Sequence, residues 1–300
     1  MKKLLILAVV GLLLARPDIT LAAYARDYIP MPPGTSLFCF YFNHSSANTL
    51  YADGHKVGDD WNQTANVGML RYVYYVNAGK ALLGDGGLTI DPQFIIPFAD
   101  INLGGDTFEA LTGRDNDYST TGFADPIILA TFWFVNDPKN KFWVGFTPWI
   151  TLPVGKYDKN RLANPGNNRW AIKPEIGVVK GIGEKAYLDL ILGGEFYTDN
   201  DDFMGNNKLE QDPTLQAEVH LSYDISKQWA IALDYYYTYG GETKLNGTWR
   251  NDEMSNHGLG VSLFWMIGSN NQLIVSYRDD FSVKSGAGTN TVGMRWAYFF

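Results

Sequence analysis

The chain has 300 residues and a formal net charge of −8, from 24 Lys and Arg against 32 Asp and Glu. That balance excludes the basic footprint of a nucleic-acid binder, and a single cysteine, Cys39, excludes an intramolecular disulfide. Aromatic residues make up 15% of the chain and there are 31 Gly, yet the mean hydropathy is −0.16. Helical membrane proteins do not have that composition. Strands that alternate lipid-facing and water-facing positions do.

The N-terminus reads as a secretory leader. Lys2 and Lys3 form a basic start, Leu4 to Ala15 is almost wholly apolar, and small residues follow through Ala25. The apolar run is too short to span a membrane as a helix. Ala23-Tyr24-Ala25 supplies a small–x–small site, so residues 1–25 are assigned to the leader and 26–300 to a single domain. A cut after Ala15 would suit the apolar spacing better, and that boundary stays open. Beyond the leader no apolar run of about 18 residues occurs, so any membrane residence requires a barrel.

Tyr28 to Gly34 (YIPMPPG) carries three prolines and is predicted as an extended lead-in on the periplasmic side. Ser36 to Asn43 is apolar on both faces and is a strand candidate. Tyr51 to Trp61 is a polar loop. Alternation predicts strands over Asn66–Asn77 and Leu88–Phe98, the second bent by its prolines. A long connection, Asp100–Gly122, precedes a strand over Asp125–Val135. After a tight turn, Phe142–Leu152 returns, and a polar stretch leads to Trp170–Lys180. Further strands fall at Tyr187–Tyr197, Pro213–Tyr223, Trp229–Tyr239, His257–Ile267 and Leu273–Phe281. Each is about the length that crosses a bilayer when tilted. Long loops mostly alternate with short turns.

The last strand, Thr289 to Phe300, sets Val292, Met294, Trp296, Tyr298 and Phe300 on one face and Arg295 on the other. A greasy terminal strand is a hazard in a soluble sheet, where it forms an edge. In a closed barrel there is no edge. The pattern resembles the assembly signal by which the barrel-assembly machinery recognises bacterial outer-membrane proteins. The fold class predicted is therefore all-β: a transmembrane antiparallel barrel of about twelve strands, with both termini periplasmic and periplasmic chaperones and outer-membrane lipid as partners.

If the apolar faces meet lipid, the opposite faces line the lumen. This set comprises Arg71, Asp91, Gln93, Lys173, Glu175, Asp189, Glu195, Gln216, Glu218, His220, Asp234, Arg278 and Arg295. Such charges either tune a pathway for solutes or neutralise one another and stiffen a narrow barrel. The alternatives to a channel are a structural or adhesive barrel and, sharper, an enzyme. His44 and Ser46 share a strand face, and outer-membrane lipid hydrolases use a His-x-Ser pair on the barrel exterior, with His activating Ser. A third residue to orient the histidine is not evident from sequence. His55, His220 and His257 lack metal-ligand spacing. The acidic run from Asp199 to Glu210 fails as a calcium loop, with Phe203 and Met204 where an oxygen ligand and Gly belong. No metal or cofactor is predicted.

The stretch Met31-Pro32-Pro33-Gly34-Thr35-Ser36-Leu37-Phe38, with Asn43-His44 and Leu50-Tyr51-Ala52-Asp53-Gly54, resembles the start of the outer-membrane channel family of the meta-pathway of phenol degradation. The resemblance implies a monomeric twelve-stranded barrel that takes up small hydrophobic or aromatic solutes passively. It implies no particular substrate-binding residues.

Overall fold

The computed structural model describes residues 22–113 and 118–300, so most of the predicted leader lies outside the described residues. Twelve antiparallel strands close into a barrel. They are β1 (Ser36–Ala52), β2 (Asn62–Tyr74), β3 (Thr89–Gly104) and β4 (Ile127–Asp137). Next come β5 (Phe142–Thr151), β6 (Ala171–Ile182), β7 (Ala186–Tyr197) and β8 (Thr214–Asp224). The last four are β9 (Trp229–Gly240), β10 (Met254–Ile267), β11 (Asn271–Ser282) and β12 (Gly286–Phe299). Each pairs with its sequence neighbour, and β12 closes on β1 in a register running from Leu37–Phe299 to Tyr51–Gly286. Beyond that ladder, Ser36 and Phe300 exchange backbone hydrogen bonds of 2.7 and 3.0 Å. Closure removes both sheet edges, as a lipid environment requires.

Period-2 burial runs around the whole wall. On β3 every odd residue from Thr89 to Leu103 is buried, while Phe94, Ile96 and Phe98 are exposed. On β12 Val292, Trp296, Tyr298 and the following Phe300 are exposed, and Gly293, Arg295 and Ala297 are buried. The exterior carries aromatic clusters at two levels. Near the short turns Trp229 stacks on Trp265 at 5.1 Å, and Trp296, Tyr298 and Phe300 stack in series. Near the long loops Tyr237 stacks on His257 at 4.6 Å, with Phe281 beside it. Such belts match the two lipid–water interfaces.

Several boundaries differ from the sequence expectation. Strand β1 continues past Asn43 to Ala52, so His44 and Ser46 lie within a strand rather than at its margin. The run HSSANT is polar, which hid it from a hydrophobicity argument. Strand β12 begins at Gly286, three residues before the Thr289 start expected from sequence. The connection 75–88 joins β2 to β3 at the short-turn end and is long, whereas 283–285 at the opposite end is short.

The long loops are structured. A helix, α1 (Asp106–Thr112), ends at Gly113, whose φ of 67° is the left-handed value glycine accepts readily. Its Phe108 is fully buried against Trp61, with Tyr118 beyond. Leu162 and Ala163, from the β5–β6 connection, join the same apolar cluster. The connections β7–β8 and β9–β10 pair into a separate four-stranded sheet.

Candidate functional site

The barrel interior is not empty. The proline lead-in, Tyr28 to Gly34, was expected as an extended segment on the periplasmic side. Pro32 to Gly34 are exposed at the short-turn rim, where the Gly34 amide donates to the Tyr75 carbonyl at 2.7 Å, but residues 22–31 run into the lumen and are tied to strands around the wall. A tight turn shapes it: the Asp27 amide donates to the Tyr24 carbonyl at 3.1 Å, and Asp27 Oδ2 accepts the Tyr24 amide at 3.1 Å. The prolines follow the turn and keep the chain from extending as a ladder strand.

Arg26 is the most heavily bonded residue of the segment. Its amide donates to Asp189 Oδ2 at 2.5 Å, Nε to Ser222 at 2.8 Å, and NH1 to Asp224 at 2.6 Å. The guanidinium also lies 4.3 Å from the Tyr187 ring centre. Asp27 pairs with Arg295 at 2.7 Å. The Tyr28 hydroxyl donates to Glu175 at 2.8 Å and lies 2.9 Å from Thr147 Oγ1, and Trp133 Nε1 donates to the Tyr28 carbonyl at 2.9 Å.

Two inward glycines make room for Tyr28. Gly145 on β5 and Gly177 on β6 are paired in register. A Cβ at Gly145 would stand 2.9 Å from the Tyr28 ring, and one at Gly177 closer still. Only glycine leaves this notch open.

All thirteen residues of the sequence-derived polar set lie on the inward parity of their strands. Eight of them form three groups. Arg71 donates to Gln93 at 2.6 Å and to the Tyr41 hydroxyl at 3.1 Å, while Asp91 accepts the Thr131 amide at 2.7 Å. Lys173 pairs with Glu175 at 2.8 Å. On β8 and β9, His220 Nδ1 is 2.7 Å from Asp234 and Nε2 is 3.2 Å from Glu218, and Ser262 on β10 donates to Asp234 at 2.6 Å. Glu195 accepts from Tyr197, and Arg278 bonds Asp280 while covering Tyr236 at 4.4 Å. Arg295, Asp189, Glu175 and Glu218 hold the N-terminal segment. Gln216 stands apart from these groups.

The interior is chemically divided. Strands β6 to β9 present Lys173, Glu175, Asp189, Glu195, Glu218, His220 and Asp234. On their loop-side part, strands β1 to β4 present an apolar stripe that includes Tyr41, Val67, Met69, Ile95, Ile101 and Leu129, and toward the short turns it gives way to Arg71, Gln93, Asp91 and Thr131. Space remains on both sides of the N-terminal segment. A cavity of about 50 Å³ lies toward β1–β6, between Tyr28, Tyr41, Arg71 and Glu175. A larger one of about 210 Å³ opens toward the short turns, between Ile29, Met31, Phe264, Met266 and Phe299.

A family model described as "Putative MetA-pathway of phenol degradation" matches residues 47–296. The chain belongs to that family. Among solved structures it is similar to the COG4313 outer membrane channel of Pseudomonas putida F1, with a TM-score of 0.85 and 28% identity over 93% of this chain and 100% of that one. The transport unit of the autotransporter AIDA-I from Escherichia coli (TM-score 0.54, 10% identity, 97% and 96% covered) shares the fold. So does the beta domain of the Bordetella autotransporter Brka (TM-score 0.52, 7% identity, 89% and 100% covered). No match was found among curated proteins.

In this member of the phenol-degradation family, sequence reasoning missed the residues that fill the interior. Tyr24, Arg26, Asp27 and Tyr28 fell at the leader boundary or in the lead-in. The apolar stripe was also missed, although strands apolar on both faces are its signal: one face meets lipid and the other needs a separate reason. His44 points outward and its Nδ1 lies 2.8 Å from Asn66 Oδ1 on β2, so a residue that orients the histidine exists. That partner sits on a neighbouring strand and could not be found by sequence proximity.

Proposed function

We propose that the protein is a channel of the bacterial outer membrane for passive passage of small hydrophobic or aromatic molecules. Its short-turn end would face the periplasm. The observation that carries this reading is the divided interior: an apolar stripe on the loop-side part of β1–β4 opposite a polar wall on β6–β9 that holds the N-terminal segment. A water-filled pore for hydrophilic solutes has little use for Val67, Ile95, Ile101 and Leu129 along its wall. An apolar solute gains from leaving water for such a surface by roughly 25 cal/mol per Å² of contact. It would slide along the stripe beneath α1 and the β5–β6 connection, pass the N-terminal segment, and leave through the cavity lined by Met31, Phe264 and Met266. The 28%-identical channel of similar fold supports the assignment, as does the family's association with phenol degradation. Movement is down a gradient and needs no cofactor.

The test is permeation into liposomes holding the purified protein. A small aromatic solute should equilibrate faster than through protein-free liposomes, and a sugar of similar size should not. Equal acceleration of both would refute the hydrophobic selectivity.

One observation favours a second reading. The His44–Asn66 bond on the lipid-facing surface leaves His44 Nε2 free to act as a base toward Ser46, two residues along the same face. Lipid hydrolysis would then be lost on Ser46→Ala. Absence of fatty-acid release from reconstituted phospholipid would remove this reading and leave the channel untouched.

A further inference from the structure

We infer that the leader is cut between Ala22 and Ala23, and that the α-ammonium so created is the cationic partner of Glu218 inside the barrel. Three observations converge. The first is the motif: Thr20-Leu21-Ala22 sets the small Ala22 at the cut and the short Thr20 side chain two residues before it.

The second is packing. A cut after Ala25 would discard two residues that are built into the wall. Ala25 is 2% exposed and packs with Ala230, Ala232, Phe264 and Ile274. The Tyr24 ring centre is 5.0 Å from the Arg295 guanidinium, and its hydroxyl is 3.4 Å from Ser276 Oγ. Losing both would leave a void beside Ile274 and strip Arg295 of a covering ring. The mature chain therefore retains Tyr24 and Ala25.

The third is charge. Ala23 N lies 3.0 Å from Glu218 Oε2. That same oxygen is 3.2 Å from His220 Nε2, and the other nitrogen of His220 is held by Asp234. Asp189, fully buried, faces His220 across the β7–β8 ladder and takes the Arg26 amide. Lys173 is taken by Glu175. Among the described residues no Lys or Arg forms an ion pair with Glu218 or Asp234, so two carboxylates share one imidazole. A backbone amide brings Glu218 one N–H and no charge. An ammonium at the same atom brings a full charge and a charge-assisted bond, which buried carboxylates require. The cut itself is a hydrolysis by a leader peptidase. Water gives its hydroxyl to the Ala22 carbonyl carbon and a proton to the Ala23 nitrogen, which takes a second proton from solvent. Because Ala23 sits inside a closed wall, the cut precedes barrel closure.

The first measurement is N-terminal sequencing and intact mass of the protein purified from outer membranes, which does not depend on the channel reading. A first residue of Ala23 is expected. A chain beginning at Tyr24, at Arg26 or upstream of Ala23 overturns the inference. The second measurement is single-channel conductance in planar bilayers. Glu218→Gln, and a variant with one glycine inserted so that the mature chain begins Gly-Ala23, should each raise open probability several-fold. Combining them should add little. An insertion that leaves conductance unchanged, whatever Glu218→Gln does, overturns the ammonium pairing.

Discussion

Asp27 Oδ1 stands 2.7 Å from Arg295 NH1, joining the N-terminal segment to the last strand across 268 residues of chain. Arg295 also donates to Gln272 at 2.8 Å, and both side chains of the ion pair are largely withdrawn from water. Removing one member of such a pair costs more than the pair is worth, because the other is left desolvated and alone. Asp27→Ala and Arg295→Ala should therefore each loosen the segment and raise ion conductance. Arg295→Ala should have the larger effect, since it also abandons Gln272 and Tyr24. The double variant should fall short of the sum. Single-channel recording checks all three. Additive effects would mean that the pair is not the fastening.

The Tyr28 ring occupies the notch left by Gly145 and Gly177, with its hydroxyl on Glu175 and Thr147. Gly177→Leu should fill that notch and displace the ring, giving conductance close to that of Tyr28→Ala. Tyr28→Phe keeps the ring and loses a bond to a carboxylate, a loss of about 1.5–3 kcal/mol, so its channel should be intermediate. Heat-dependent gel migration would establish that each barrel has folded. A Gly177→Leu channel as closed as wild type would show that the notch does not seat Tyr28.

The wall was legible in the sequence because alternation is imposed by lipid outside, strand by strand. Leu215 to Tyr223 and Trp229 to Tyr239 could be assigned faces with no knowledge of their neighbours. What lies inside was not legible for the same reason. Arg71, Asp189 and Arg295 could be placed on an inward face, but their partners come from the N-terminal segment and from strands far away in sequence. Alternation carries no information about those pairings. Residues 23–28 are short, partly apolar and adjacent to a cleavage motif, so they read as leader and lead-in. The trace they left was indirect: glycines at 145 and 177, on inward positions where a narrow barrel usually needs side chains.

Arg250, in the β9–β10 connection, is 7% exposed, and none of its guanidinium nitrogens finds a hydrogen-bond partner among the described residues. Burial pushes its pKa down to about 10, with Asp252 opposing. The folded pKa is depressed, so below it the folded loop carries a desolvated charge. As pH rises through about 10, the folded loop sheds that proton before the unfolded chain does, and loop stability rises. Arg250→Met removes the charge and keeps a similar volume. It should slow proteinase K nicking of this loop at pH 7.5, with the advantage over wild type shrinking as pH rises above about 10. Faster nicking in the variant would mean that the guanidinium has a stabilising partner.

Met294 lies on the outward face of β12, in register with Phe42 on β1 and Val275 on β11, both exposed. The aromatic belts place this level between the two interfaces: Trp296 and Tyr298 lie toward the short turns, and Tyr277 lies toward the loops. A cation here must be buried in hydrocarbon or reach for one of the belts. Met294→Arg should therefore cost about 2–4 kcal/mol of unfolding free energy in lipid. Guanidinium titration in liposomes, followed by tryptophan fluorescence, measures it. The contrast is with Arg295, one residue on, where an arginine already sits and is paired. A Met294→Arg protein as stable as wild type would place this part of β12 against water, and the inward assignment of Arg295 would fall with it.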